Sequence, residues 1–265
     1  MIDLKITFMG AIQGLTEFLP ISSSAHLSFF QMLFDYQEML GYDIILHMST
    51  LCALLLFFGK SIVSLTIEWI NGFYKPEYRN KSGWIYGWAV LLGNIVTALI
   101  ALPLKSFVEK AKESPIIVAA GLIVTAMLLW YIGRIKSNER SISLRSGLLV
   151  GLIQGIAVIP GISRSGSTIF MGRLTGLPPE EAFRFSFLVS VPAITGATFL
   201  EILKMFKIGE VTLPPYWWLG ALLAFSLGLI SLALLRKFVV SGQWKCFSIY
   251  CASLASLMIL FQLLR

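Results

Sequence analysis

Charge is what this chain lacks most. Only 13% of its residues are Asp, Glu, Lys or Arg, about half the share of a soluble domain. With 57% hydrophobic residues and a mean hydropathy of +0.81, an ordinary water-soluble globule is excluded. Cysteine is scarce too. Cys52, Cys246 and Cys251 form an odd set with no metal-like spacing; they read as small helix residues, not as a disulfide framework or a zinc site. A cleavable signal peptide is not expected either. The first apolar stretch, Ile6–Leu19, is interrupted by Gln13, Thr16 and Glu17 and runs into Pro20, where a signal peptide would have a clean apolar centre. Basic residues outnumber acidic ones by 21 to 14. They cluster between apolar runs, at Lys75, Arg79 and Lys81, at Arg134, Lys136, Arg140 and Arg145, and at Arg236, Lys237 and Lys245. Basic loops of that kind report membrane orientation, so no nucleic-acid partner is expected.

Apolar runs long enough to cross a bilayer, roughly 17–25 residues, recur along the chain. Six spans are predicted: Ile44–Phe58 with its flanks, Trp84–Leu104, Pro115–Ile132, Ala182–Leu203, Tyr216–Leu235 and Phe247–Leu264. Trp69, Trp84, Trp88, Trp130, Trp217 and Trp218 fall at or near span ends, as an interfacial aromatic belt requires.

Two polar islands break this pattern. The first runs from Gln13-Gly14 through Glu17, Pro20 and Ser22-Ser23-Ser24 to His26; the second runs from Gln154-Gly155 through Pro160-Gly161 and Ser163-Arg164-Ser165 to Thr168. The segments around them, Ile6–Leu19 with Ser24–Leu33 and Gly147–Ile159 with Gly166–Leu174, are too short to span a core of about 30 Å. Paired, they predict two re-entrant helix–loop–helix hairpins, tolerable at that depth only when buried in protein or lining a wet cavity. Each hairpin precedes three spans, and Gly10-x-x-Gln13-Gly14 is echoed by Gly151-x-x-Gln154-Gly155 about 141 residues on. The expected fold is therefore an all-α integral membrane protein: six transmembrane helices plus two re-entrant hairpins in an inverted-topology repeat. It forms a single membrane domain over 1–265, with repeats at 1–140 and 141–265.

Loops at 60–83, 134–146, 173–181 and 236–246 hold twelve Lys and Arg, and the opposite face holds seven (Lys5, Lys105, Lys110, Lys112, Lys204, Lys207, Arg265). The richer face is expected to be cytoplasmic, with both termini outside.

A carboxylate, a histidine and an arginine at membrane depth point to function. Gln13 and Glu17 share a helix face. The serines at 22–24 and Ser163 or Ser165 are placed to cap the second helix of each hairpin. Half-helix N-termini aimed inward suit a phosphate, and Arg164 adds a planar fork for its oxygens. Glu17 and Gln13 offer hard oxygen ligands for Mg²⁺ or Ca²⁺, and His26 can move a proton. Blander readings exist for each alone: small serines that let helices approach, a satisfied core histidine, a snorkelling arginine. Together they are the parts of phosphoryl transfer.

The strings QGLTEFLPISSSAHL (13–27) and PGISRSGSTI (160–169) resemble the two signature motifs of the undecaprenyl-diphosphate phosphatase family, of the bacitracin-resistance type. Asp43-x-x-Leu46-His47, and Ala182-x-Arg184-Phe185-Ser186-Phe187-Leu188 with Val191-Pro192-Ala193, resemble the segments that follow them. The resemblance implies a metal-dependent enzyme of the bacterial inner membrane. It would hydrolyse undecaprenyl diphosphate to undecaprenyl phosphate and inorganic phosphate at the periplasmic face, recycling the lipid carrier of cell-wall synthesis. Bacitracin would compete for that substrate. Carried over by motif position, Glu17, Ser23, His26 and Arg164 are the expected catalytic residues. Ser22, Ser24, Gln154, Ser163, Ser165 and Thr168 are expected to bind substrate, and Glu17 and Gln13 to bind metal. Many members carry Glu where Gln13 stands, so this chain offers one carboxylate fewer. Asp43 is a candidate to compensate.

The nucleophile is left open among Ser23, His26 and water, and the oligomeric state is open too, a homodimer being one option. Phe183, Phe185 and Phe187 are candidate walls of a prenyl groove. A transporter with a midplane anion site shares this architecture, whereas a non-enzymatic scaffold leaves Glu17 and Arg164 without a reason.

Overall fold

The structure, a computed structural model, describes residues 4–34, 39–136, 139–208 and 213–264. The described residues are helical almost throughout. The elements are α1 (Leu4–Thr16), α2 (Ser23–Phe34), α3 (Leu40–Tyr74), α4 (Ser82–Lys112), α5 (Pro115–Ile132), α6 (Leu144–Ile156), α7 (Arg164–Leu174), α8 (Pro179–Ile208), α9 (Trp217–Ser241) and α10 (Lys245–Leu264). A 3₁₀ turn at Pro76–Asn80 joins α3 to α4.

Six of these, α3, α4, α5, α8, α9 and α10, are long and apolar enough to cross a membrane, and they coincide with the six expected spans. The chain is a multi-pass membrane protein. The expected loop at 60–83 needs correction, because α3 continues unbroken to Tyr74 and Lys60 lies on the helix. At 35 residues α3 is about 52 Å long, well beyond a core of about 30 Å. Its projecting end is held by packing: Trp69 meets Trp88 edge-on, and Phe73 meets Trp84 edge-on and Trp88 at a tilt. Lys105, Lys110 and Lys112 likewise sit on the end of α4.

Several charged ends are tied together by contacts. Arg236 of α9 bonds Glu180 at the start of α8, Arg173 donates to the carbonyls of Ile135 and Leu177, and Arg140 donates its backbone N–H to Gly176. At the other end of the long helices Lys204 pairs with Glu109. Arg265 lies outside the described residues.

The short helices are fixed by close backbone approach. On α1, Gly10 and Gly14 lie against Gly220 and Ala224 of α9, and a Cβ on either glycine would collide with backbone there. On α6, Gly147 and Gly151 meet Ala89 and Gly93 of α4 in the same way. Hydroxyls finish each seam: Ser231 of α9 donates to the Gly14 carbonyl at 3.0 Å, and Thr97 of α4 to that of Gly151 at 3.0 Å. Small residues and hydroxyl bonds are what hold helices together where lipid competes for apolar surface.

Phe183, Phe185 and Phe187 do not line a groove. All three are buried, with Phe183 and Phe187 stacked among Phe58 and Phe18, and Phe185 edge-on to Tyr86. The expectation of a prenyl wall there is corrected: α8 packs between α3, α4 and α7, so these rings are core.

Candidate active site

Two helix–turn–helix pairs, α1–α2 and α6–α7, meet at their turns. In the first, α1 ends at Thr16 and the chain turns through Pro20, which lacks the N–H a continuing helix needs. Ser22 then takes a left-handed φ of 66°, a conformation that costs a non-glycine residue roughly 1–2 kcal/mol. Its Oγ accepts from the Ala25 N–H at 3.4 Å, so Ser22 caps α2. In the second turn the left-handed position falls on Gly161, at φ 88°, where a Cβ would run into the Val118 carbonyl. Ser163 caps α7 by accepting from the Gly166 N–H at 3.2 Å, settling the choice between Ser163 and Ser165. Arg164 is the first residue of α7.

The turns bring Glu17 and Arg164 together from 147 residues apart: Arg164 Nη2 lies 2.5 Å from Glu17 Oε1. The Glu17 side chain is 1% exposed and the Arg164 side chain 28%, so the carboxylate is sealed in while the arginine side chain is only partly covered. Glu17 Oε2 accepts from Gln13 Nε2 at 3.0 Å and from Ser23 Oγ at 2.9 Å. Three of the four expected catalytic residues therefore form one hydrogen-bonded cluster.

The fourth, His26, stands apart from that cluster. Its Nδ1 is 2.8 Å from the Ser22 carbonyl and its Nε2 is 2.7 Å from the Tyr250 hydroxyl of α10. Of the expected substrate-binding set, Ser22 and Ser24 pair at 3.1 Å, and Ser24 Oγ accepts weakly from the Gly161 N–H at 3.4 Å across the two turns. Ser165 donates to the Leu19 carbonyl at 3.3 Å. Thr168 is turned inward, with its hydroxyl 2.5 Å from that of Ser186. Gln154 is not brought to Glu17; both ends of its amide are engaged elsewhere, with Thr97 at 3.2 Å and Ser190 at 3.1 Å. Sequence reasoning missed Thr125, which accepts from the Ser163 N–H and donates to the Gly161 carbonyl, both at 2.9 Å. It missed Tyr250 as well. Each lies on an apolar helix with no neighbouring motif to mark it.

Oxygen donors of this kind would be the ligands of a hard cation. Gln13 Oε1 is buried with no hydrogen-bond partner, while Nε2 of the same amide is bonded to the Glu17 carboxylate. Among the described residues no three of His, Cys, Asp and Glu gather as a metal cluster. Protein ligands would thus be few, as is common for Mg²⁺, which keeps waters and substrate oxygens around it.

Fold and site together define a multi-pass helical membrane protein with an acid–arginine–serine cluster buried where two short helix pairs meet. Comparison with known proteins makes this specific. The chain belongs to the family described as bacitracin resistance protein BacA, whose model matches residues 6–257. It is 35% identical to an undecaprenyl-diphosphatase of Nocardioides sp., covering 97% of this chain and 95% of that protein. It is 38% identical to the undecaprenyl-diphosphatase of Thermosipho melanesiensis, covering 92% and 93%. The archaeal undecaprenyl-diphosphatase of Korarchaeum cryptofilum is 36% identical over 92% and 93%. The family is thus not confined to bacterial membranes.

Proposed function

We propose that this chain is a membrane phosphatase that hydrolyses undecaprenyl diphosphate to undecaprenyl phosphate and inorganic phosphate. This activity would recycle the lipid carrier and confer resistance to bacitracin, which competes for the same substrate. The observation that carries the mechanism is the double engagement of Glu17: one oxygen on Arg164, the other receiving the Ser23 hydroxyl proton.

In this reading Arg164, only partly engaged by Glu17, turns its remaining N–H groups to the diphosphate, and the N-termini of α2 and α7 add backbone donors. Glu17 accepts the Ser23 proton as Oγ attacks the terminal phosphorus. The P–O–P bond breaks, undecaprenyl phosphate leaves, and water then releases phosphate from the serine. Gln13 Oε1 and Glu17 are the residues that would hold Mg²⁺ or Ca²⁺, whose charge offsets that of the diphosphate. Trapping a labelled phosphoryl-enzyme tests this route; a trapped species that persists in Ser23→Ala would exclude the serine.

The inverted-topology repeat belongs to the same reading. It is supported by the swapped seams, in which α1 uses Gly10 and Gly14 against α9 while α6 uses Gly147 and Gly151 against α4. An odd number of spans per half then turns the second copy over. The excess of basic residues on the face of Arg173 and Arg236 supports placing that face in the cytoplasm. The two hairpins would enter the membrane from opposite faces, with the reaction open to the outside and both termini on that side. Metal-dependent phosphate release by the reconstituted protein, lost with a chelator, tests the whole; a folded sample that moves lipid without releasing phosphate would favour a transporter.

A further inference from the structure

His26 is held at both ring nitrogens. The Ser22 carbonyl can only accept, so Nδ1 carries the proton. In the neutral ring Nε2 is then a lone pair, and the Tyr250 hydroxyl donates to it at 2.7 Å. The two rings are nearly parallel, 5° apart with centroids at 5.6 Å. Nothing in this arrangement leads from His26 to the Ser23 proton, which goes to Glu17. What His26 does grip is the carbonyl of Ser22, the residue at φ 66° immediately before Ser23. A left-handed non-glycine residue persists only where its surroundings over-determine it.

The second turn shows the same job done differently. There α5 reaches in with Thr125, which binds the Gly161 carbonyl and the Ser163 N–H directly. In the first turn α10 reaches in with Tyr250, and His26 is the spacer that completes the span. The adjacent Cys251 thiol points at the Pro20 carbonyl at 3.7 Å, so α10 holds this turn at two points.

Building on the phosphatase reading, we propose that Tyr250 is a positioning residue: its hydroxyl keeps His26 in the Nδ1–H form, and that N–H fixes the left-handed Ser22 turn that aims Ser23 at Glu17. His26 serves in this arrangement as a brace and not as the proton acceptor.

The chain has only two histidines, which makes the test direct. Protein labelled with ¹⁵N-histidine is examined in detergent by NMR, with His47→Gln assigning the His26 signals, and phosphate release is followed in parallel. The expected wild-type signal is one neutral tautomer protonated at Nδ1. Tyr250→Phe keeps the ring and loses the hydroxyl. It should show Nε2–H tautomer appearing, with kcat down about three- to tenfold, the scale of one lost hydrogen bond, and KM unchanged. A wild-type His26 protonated at Nε2 would overturn the proposal, as would a Phe variant with unaltered His26 signals. A changed tautomer with unchanged kcat would overturn it too, because the brace would then hold nothing that turnover needs. The spectra are read without substrate. A wild type that releases no phosphate would therefore overturn the phosphatase reading and Tyr250's role in turnover, while the hydrogen-bonded pair is judged on the spectra alone.

Discussion

The two helix–turn–helix pairs share a plan and differ in how their polar groups are used. In the second, Gln154 is satisfied at both ends, the left-handed position is a glycine, and Thr125 locks the turn. In the first, Gln13 has an orphaned oxygen, the left-handed position is a serine, and a buried carboxylate sits four residues from the glutamine. The carboxylate's counterpart in the second pair, four residues after Gln154, is Val158. Each pair keeps one orphaned buried oxygen, Gln13 Oε1 and Ser167 Oγ, so what sets the first apart is its left-handed serine and its buried carboxylate, where chemistry is proposed. The second pair supplies a turn held by Gly161 and Thr125, and one guanidinium. Where two similar turns diverge in this way, the one that holds a strained serine and a buried charge is the place to look for reactivity.

The largest test of that contrast is Glu17→Gln, which keeps shape and removes the acceptor charge. Phosphate release should fall on the order of 10³-fold, and retention of more than a tenth of turnover would remove Glu17 from the reaction. Arg164→Lys keeps the charge but loses the fork. It should cost roughly 10²-fold in kcat/KM, and activity near wild type would show that a point charge suffices. The turns should then diverge in stability. Gly161→Ala, forced into φ 88° against the Val118 carbonyl, is expected to lose about 1–3 kcal/mol or more, seen as a lower Tm in detergent. Ser22→Gly relieves the left-handed cost and gives up a cap worth only a few tenths of a kcal/mol. Its Tm should hold or rise while turnover drops, and a matching fall in Tm would erase the distinction between the turns. The smallest effect expected is from Gln13→Glu, which should lower the Mg²⁺ concentration for half-maximal activity by a few-fold. Gln154→Glu should leave that concentration unchanged.

Much of this was legible in the chain. The six long helices follow from apolar runs, because a membrane imposes a minimum length that a sequence cannot disguise. Both turns were marked by proline, glycine and serine, whose backbone preferences are local. The meeting of Glu17 with Arg164 was legible only as a joint oddity of two polar islands. What sequence could not supply was direction. Thr168 and Gln154 carry the right chemistry, yet face Ser186 and Thr97, and nothing in their neighbours signals which way a side chain points. The phenylalanines of α8 misled for the same reason: core and lipid-facing groove have one composition in a membrane helix. The length of α3 was under-read because hydropathy ends where the bilayer does, whereas hydrogen bonding and tryptophan packing carry the helix further.

The 147-residue gap between Glu17 and Arg164 also has a meaning in time. A ribosome adding about 5–20 residues per second needs about 7–30 s to make that stretch. During that interval the nascent chain holds its carboxylate without the guanidinium that will cover it. Until then only Gln13 and Ser23 of its own helix pair can bond it, and the contacts of that pair with α9 and α10 form only once those helices are made. Biogenesis of this protein thus includes a late closure, in which the Glu17–Arg164 pair forms only after more than half of the chain has been made.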